Sequence, residues 1–302
     1  MNARKRALLR LLKLAPSRLV WRFAQVYIAG ESLDDAARTM RRLADEGCRS
    51  TLDVLGEDVT LEQEVAAYVA EYSKALDRIA SDRLPANISV KPTAMGLKFN
   101  AELAQRSIKA ICQHAASHGN FVRIDMEDSS TTDATLTLYR WLRQQGIDNV
   151  GVVLQAYMRR TLQDAAEIAA MRGSVRLCKG IYIESRAVAY QDFWMVRDAF
   201  VAALRALFEG GASRVGIATH DEWLVLQARM LIRQLKIESE RYEFQMLLGV
   251  DPELRRLIVS EGHPLRVYVP YGAGWHAYSM RRLLENPRFA SHVVRNVLGL
   301  GH

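Results

Sequence analysis

The sequence predicts a (β/α)8 barrel of the TIM type. Eight short, mostly apolar runs alternate with helix-like stretches along the chain, the pattern of strands buried on both faces and each followed by a crossover helix. Polar residues gather at the C-terminal ends of those runs, where barrels of this kind build their sites. The runner-up, a doubly wound open sheet, would want a Gly-rich phosphate turn after its first strand. Asp53-Val54-Leu55-Gly56-Glu57-Asp58 is not one.

The runs, in order, are 48–56 (CRSTLDVLG), 88–94 (ISVKPTA), 121–127 (FVRIDME), 150–156 (VGVVLQA), 175–180 (VRLCKG), 214–220 (RVGIATH), 242–248 (YEFQMLL) and 265–272 (LRVYVPYG). Ser32-x-x-Asp35 reads as a capping box opening a helix that ends at Gly47, and Thr60-x-x-Gln63 as the start of another running to about Ser81. Further caps are expected at Asn100, Thr161 and Asp251-Pro252, with stops at Gly119, Gly146 and Gly262. Residues 1–46 read as an N-terminal helical arm and 47–302 as the barrel. The strand ends carry Asp53, Glu57, Lys91, Asp125, Glu127, Gln155, Lys179, Thr219, His220, Gln245, Tyr268 and Tyr271. Buried charge is costly unless paired or bound to a ligand, so this convergence is hard to explain by stability alone.

A chain of 302 residues with 49% hydrophobic content has ample material for a large core. Its three scattered cysteines suit neither a disulfide framework nor a zinc site, which points to a reducing compartment, the cytoplasm. His220 has no second histidine at metal spacing, and no metal is expected. The net charge of +7 favours acidic partners: anionic substrates, nucleic acid or a membrane surface. No acid precedes Glu31, while Arg4, Lys5, Arg6, Arg10 and Lys13 alternate with leucines up to Pro16. This basic amphipathic stretch is too short and too charged to span a bilayer. It lacks the clean apolar core and cleavage site of a signal peptide. It packs on the barrel or touches anionic lipid at the inner face of the membrane, the remaining alternatives being a transit peptide or a nucleic-acid contact.

Near the C-terminal end, Tyr278, Arg281, Arg282 and Glu285 fall at i, i+3, i+4 and i+7, so one helical face presents all four. Two adjacent arginines repel unless an anion lies between them, and a guanidinium grips a carboxylate with two prongs. The same face reads equally as a solvated one with an Arg281–Glu285 pair worth about a few tenths of a kcal/mol.

Taken together, ISVKPTAMGL, FVRIDMEDS, VGVVLQAY, VRLCKGIY, ATHD, YEFQMLLGV, VYVPYG and YSMRRLLE, in that order, resemble the proline dehydrogenases over roughly residues 27–290. The likeness is to the short, single-function bacterial members, without the DNA-binding segment and aldehyde dehydrogenase domain of the long fused forms. It implies a distorted barrel with N-terminal helices and a final helix lying over the strand ends. It also implies FAD-dependent oxidation of L-proline to Δ1-pyrroline-5-carboxylate, by hydride transfer to flavin N5, with electrons passed to a membrane quinone.

Roles follow by motif position. Arg281, Arg282 and Lys91 match the clamp on the proline carboxylate, and Tyr268 and Tyr278 match aromatics beside the proline ring. An aromatic at position 268 favours proline over hydroxyproline. Asp125 matches the family's active-site aspartate, and Arg176 an arginine near the reactive flavin nitrogen, where a guanidinium would stabilise charge on the reduced flavin. Met126, Gln155, Lys179, Gly180, Ile181, Thr219 and His220 match flavin-contacting positions. Glu57 matches a gate residue that pairs with the second arginine of the last helix. The turn at Ala273-Gly274 and the segment Glu184-Ser185-Arg186 depart from the commonest pattern without removing a motif residue. The alternatives are a flavin enzyme for hydroxyproline or another cyclic amino acid, and, outside enzymes, a basic RNA- or membrane-binding barrel. For a member of the family no nucleic-acid contact is expected.

Overall fold

The computed structural model describes residues 25–275. The N-terminal basic stretch up to residue 24 and the helix expected over the strand ends, with Tyr278, Arg281, Arg282 and Glu285, lie outside the described residues. Eight parallel strands close into a barrel in sequence order: β1 (Arg49–Val54), β2 (Ala86–Val90), β3 (Val122–Ile124), β4 (Val150–Gln155), β5 (Ser174–Cys178), β6 (Arg214–Ala218), β7 (Tyr242–Leu247) and β8 (Leu265–Tyr271). The β1–β8 seam pairs Arg49 with Arg266 through to Val54 with Tyr271. Every predicted run overlaps one strand, although β2 and β5 begin two residues and one residue earlier than expected.

Eight α-helices appear among the described residues. They are α1 (Leu33–Asp45), α2 (Glu62–Ser81), α3 (Ala101–Ser117), α4 (Ser129–Gln144), α5 (Thr161–Ala170), α6 (Phe193–Glu209), α7 (Glu222–Gln234) and α8 (Pro252–Ser260). The Ser32–Asp35 capping box opens α1 as expected, and Asn100 and Asp251 cap α3 and α8. Two expected caps differ. Helix α2 begins at Glu62 with Leu61 as its cap; Leu61 has no side-chain oxygen, and the Glu64 carboxylate accepts the Leu61 amide at 3.2 Å instead. Thr161 is already helical, because its hydroxyl is spent donating to the Gln155 carbonyl.

Helix α1 presents Ala36, Ala37, Met40 and Leu43 at helical spacing, and all four are buried in the same core as the barrel. The chain leading into α1 is stitched to the end of β8, with the Ala29 amide donating to the Pro270 carbonyl at 2.9 Å and the Gly272 amide to Gly30 at 3.0 Å.

The apolar layer lies between strands and helices. Leu52, Ile88, Val122, Val152, Leu177, Ile217, Phe244 and Val267 are all buried there, each contributing roughly 1.5–3 kcal/mol relative to exposure. The inner face of the barrel is polar, where most such barrels stack Val, Ile and Leu. Arg123 on β3 donates to the Ser174 carbonyl and hydroxyl on β5 at 2.8 and 3.0 Å. Arg176 on β5 donates to the Gln245 side-chain oxygen on β7 at 2.5 Å. Each bridge passes over an intervening strand, and each intervening strand carries a glycine. A Cβ at Gly151 on β4 would lie 2.3 Å from the Arg123 guanidinium, and one at Gly216 on β6 would lie 2.5 Å from the Gln245 amide. The two glycines provide the room that the long polar side chains occupy.

Toward the N-terminal end of the barrel, Glu243 accepts from Arg266 at 2.6 Å, Arg214 at 2.9 Å and the Gln245 amide at 2.7 Å. Burial opposes its charge, but Arg266 and Arg214 outweigh burial and pull its carboxyl down to about 2. A carboxyl depressed by folding stabilises fully above its unfolded value of roughly 4.3, and that stabilisation is lost as pH falls toward about 2. Denaturant midpoints should therefore drop through that window. Glu243→Gln should remove this part of the drop and cost about 3–5 kcal/mol near neutral pH, because the buried Arg266 and the partly buried Arg214 lose their carboxylate.

Candidate active site

The C-terminal ends of the strands form the open end of the barrel, and three sequence-predicted residues meet there directly. Asp125 follows β3, where the strand yields to a loop. One oxygen of its carboxylate accepts from Arg176 on β5 and from the Ser89 hydroxyl on β2, both at 2.7 Å. The other accepts from the Tyr268 hydroxyl on β8 at 2.8 Å. The Arg176 guanidinium also lies over the Tyr268 ring, 5.2 Å from its centroid, a favourable cation–π placement. Asp125 is thus fully engaged as an acceptor, and Arg176 and Tyr268 are fixed in position by it.

Lys91 follows β2 and points its ammonium at Asp53, 2.7 and 2.8 Å from the two carboxylate oxygens. Both groups are buried. Burial alone would lower the lysine, but Asp53 and Asp125 outweigh it and hold the ammonium above its ordinary range. Burial pushes the Asp53 carboxyl up against the pull of Lys91, so the two groups hold each other through a short two-pronged contact. Asp53 was expected among the strand-end residues but was given no role in the site. Its signal was a charged residue inside an otherwise apolar run, in phase with Arg49 and Thr51 on the inner face.

The remaining predicted residues line the rim. Gln155 ends β4 and donates to the Glu127 carbonyl at 2.8 Å, beside the buried Met126. Glu127 itself accepts from the Thr93 amide and hydroxyl at 2.8 and 2.6 Å. After β5, Gly180 takes φ +104°, and a Cβ there would come within 2.2 Å of the Tyr157 ring. Only glycine lets this turn lie against that ring. Ile181 is exposed, and so are Ile183, Phe193, Trp194 and Met195 further along. Lys179 lies 3.2 Å from Asp221, whose carboxylate Arg197 also holds at 2.9 and 2.6 Å. The Thr219 hydroxyl accepts the Asp221 amide at 3.1 Å. His220 accepts the Leu247 amide on Nε2 at 2.8 Å, so a neutral ring carries its proton on Nδ1. Glu57 is half-buried in the loop after β1.

The family model for proline dehydrogenase matches residues 36–295. The chain belongs to the proline dehydrogenase family. It is 35% identical to proline dehydrogenase 1 of Bacillus subtilis (strain 168), over 91% of this chain and 90% of that protein. It is 31% identical to the proline dehydrogenase of Deinococcus radiodurans, over 92% of this chain and 91% of that one. Among solved structures it resembles proline utilization A from Bdellovibrio bacteriovorus inactivated by N-propargylglycine, with a TM-score of 0.80 and 25% identity over 91% of this chain. The chain spans about a third of that longer protein, 34% of its length. The family match takes in the arginine-bearing segment at 278–285 as well as every rim residue described above.

Sequence reasoning left Gln245 without a role and passed over Ser89. Both follow from the inner face: Gln245 holds the Nε of Arg176, and Ser89 shares the Asp125 oxygen with it. Asp53→Ala should cost about 3–5 kcal/mol by leaving Lys91 buried without a carboxylate. Replacing both partners, Asp53→Leu with Lys91→Met, should cost markedly less, and urea unfolding of the single and double variants would measure the difference.

Proposed function

We propose that this chain oxidises L-proline to Δ1-pyrroline-5-carboxylate, using FAD and passing electrons to a membrane quinone. The observation that carries the reading is the partly buried Arg176–Asp125–Tyr268 cluster at the open end of the barrel, in a chain of the proline dehydrogenase family. The rim suits a flavin. It offers a glycine-lined turn at Lys179-Gly180-Ile181, oriented polar groups at Gln155, Thr219 and His220, and exposed apolar side chains at Ile181, Ile183 and Trp194 that match a flat aromatic group. Met126 adds a buried apolar contact at the same level. When bound, the flavin supplies the two-electron acceptor for the hydride.

The chain's own residues bind, orient and stabilise. Arg176 places a permanent positive charge in a water-poor site, where it stabilises negative charge that develops during the reaction. Its position is set by Gln245 and Asp125, so no reorganisation is needed when that charge appears. Asp125 acts as an anchor for Arg176 and Tyr268. The Tyr268 ring provides an apolar wall for the pyrrolidine. Lys91, with Arg281 and Arg282, grips the substrate carboxylate and so fixes which ring carbon faces the acceptor. The proline nitrogen must reach this site unprotonated, so that its lone pair can drive the hydride from the adjacent carbon. Glu57 pairs with Arg282 to close the site and exclude water.

Anaerobic titration with L-proline should bleach the visible flavin band, trans-4-hydroxyproline should do so much less, and added quinone should restore it. A flavin band untouched by proline would move the reading to another cyclic amine. Absence of flavin, even after adding FAD, would overturn the enzyme reading. Glu57→Ala should raise the KM for proline; an unchanged KM and kcat would remove the gate.

A further inference from the structure

On the outer wall of the barrel, away from the strand ends, three side chains of metal-ligand type converge. His114 lies in the last turn of α3 and His118 caps its C-terminal end, four residues apart and so on one helical face. Asp77 stands near the C-terminal end of the neighbouring α2. The Nε2 atoms of His114 and His118 lie 2.7 and 2.9 Å from the same Asp77 oxygen. The two rings meet edge to face, 5.2 Å between centroids. One ligand atom from each residue falls within 4.8 Å of the others. The sequence reading expected no metal because His220 lacks a second histidine at ligand spacing; His114 and His118 have that spacing.

We propose that His114, His118 and Asp77 bind a zinc ion that clips α2 to α3. Two imidazoles and one carboxylate form a donor set suited to zinc, with water completing a tetrahedral shell. Zinc bonds of about 2.0–2.1 Å place neighbouring donors roughly 3.3 Å apart, so the present spacing of 2.7 and 2.9 Å opens by about half an ångström on binding. The side chains are 35%, 29% and 58% exposed and have room to make that adjustment. A second feature independently favours a cation. Both α2 and α3 end close to the cluster, and helix C-termini carry partial negative charge. The two helices flank β2 in sequence, the strand that carries Ser89 and leads into Lys91. A clip between them braces that side of the barrel.

The test uses the full chain after chelator treatment, titrated calorimetrically with zinc chloride, and with cobalt(II) as a spectroscopic substitute. The wild type should bind one zinc ion and show a visible cobalt band, and its thermal midpoint should rise with added zinc. His114→Ala and His118→Ala should each weaken zinc binding by more than about tenfold and lose the cobalt band. Asp77→Asn, a nearly isosteric change at an exposed position, should weaken it as well and guards against any effect of the alanines on helix packing. Failure of the wild type to bind zinc would overturn the proposal, and so would binding by all three variants that matches the wild type.

Discussion

A guanidinium buried inside a barrel must find acceptors on several strands, because no water is there to supply them. Arg176 meets this constraint with the Gln245 side-chain oxygen on β7, the Asp125 carboxylate after β3 and the Ser89 hydroxyl on β2. One side chain therefore ties four parts of the sheet together. Its partners are fixed in turn. Arginine only donates and a carboxylate only accepts, so the Gln245 amide has a single orientation, oxygen to Arg176 and nitrogen to Glu243. The chain of bonds runs from Arg214 and Arg266 through Glu243, Gln245 and Arg176 to Asp125 and Tyr268. It links the N-terminal end of the barrel to its open end.

This polar interior changes how the fold is held together. The apolar stabilisation lies in the shell between strands and helices, and the barrel axis is given to charge. Along that axis Arg123, Arg176, Arg214, Arg266 and Lys91 face Asp53, Asp125 and Glu243. Arg123 has only neutral acceptors, and burial with the nearby Arg176 lowers it to about 9. At the open end Arg176 and Lys91 are matched by Asp125 and Asp53, so the positive surplus lies deeper in the barrel, toward its N-terminal end. The two inner glycines have a steric reason: the long Arg123 and Gln245 side chains can cross the barrel only where a strand contributes no side chain of its own.

The arrangement also separates two kinds of rim residue. Asp125, Arg176 and Tyr268 are locked by bonds to one another and to the strands, and form a rigid floor. Lys179, Gly180, Ile181 and His220 lie on loops after β5 and β6, where backbone and exposed apolar groups are available to a ligand. A rigid charged floor under an accessible rim suits an enzyme that must hold a small substrate in one orientation.

Much of this was legible in the chain itself. The eight runs, most caps and the family's motif order are local features, and strand position follows from them because each run is apolar on its outward side. The inner alternation was legible too, in Glu243-Phe244-Gln245 or Arg266-Val267-Tyr268, but the runs read as uniformly buried until their polar phase was seen to face inward. Two helix starts were misplaced because capping depends on where a hydroxyl or carboxylate finds its partner, as Thr161 and Glu64 show. The sequence by itself determined strand order, helix faces and the residue types at the open end. Only the tertiary structure decided that Lys91 pairs with Asp53, that Gly151 and Gly216 make room for Arg123 and Gln245, and that Tyr268 reaches Asp125 across 143 residues of chain. Such pairings depend on barrel closure and register, which bring side chains together across distances that no local pattern encodes.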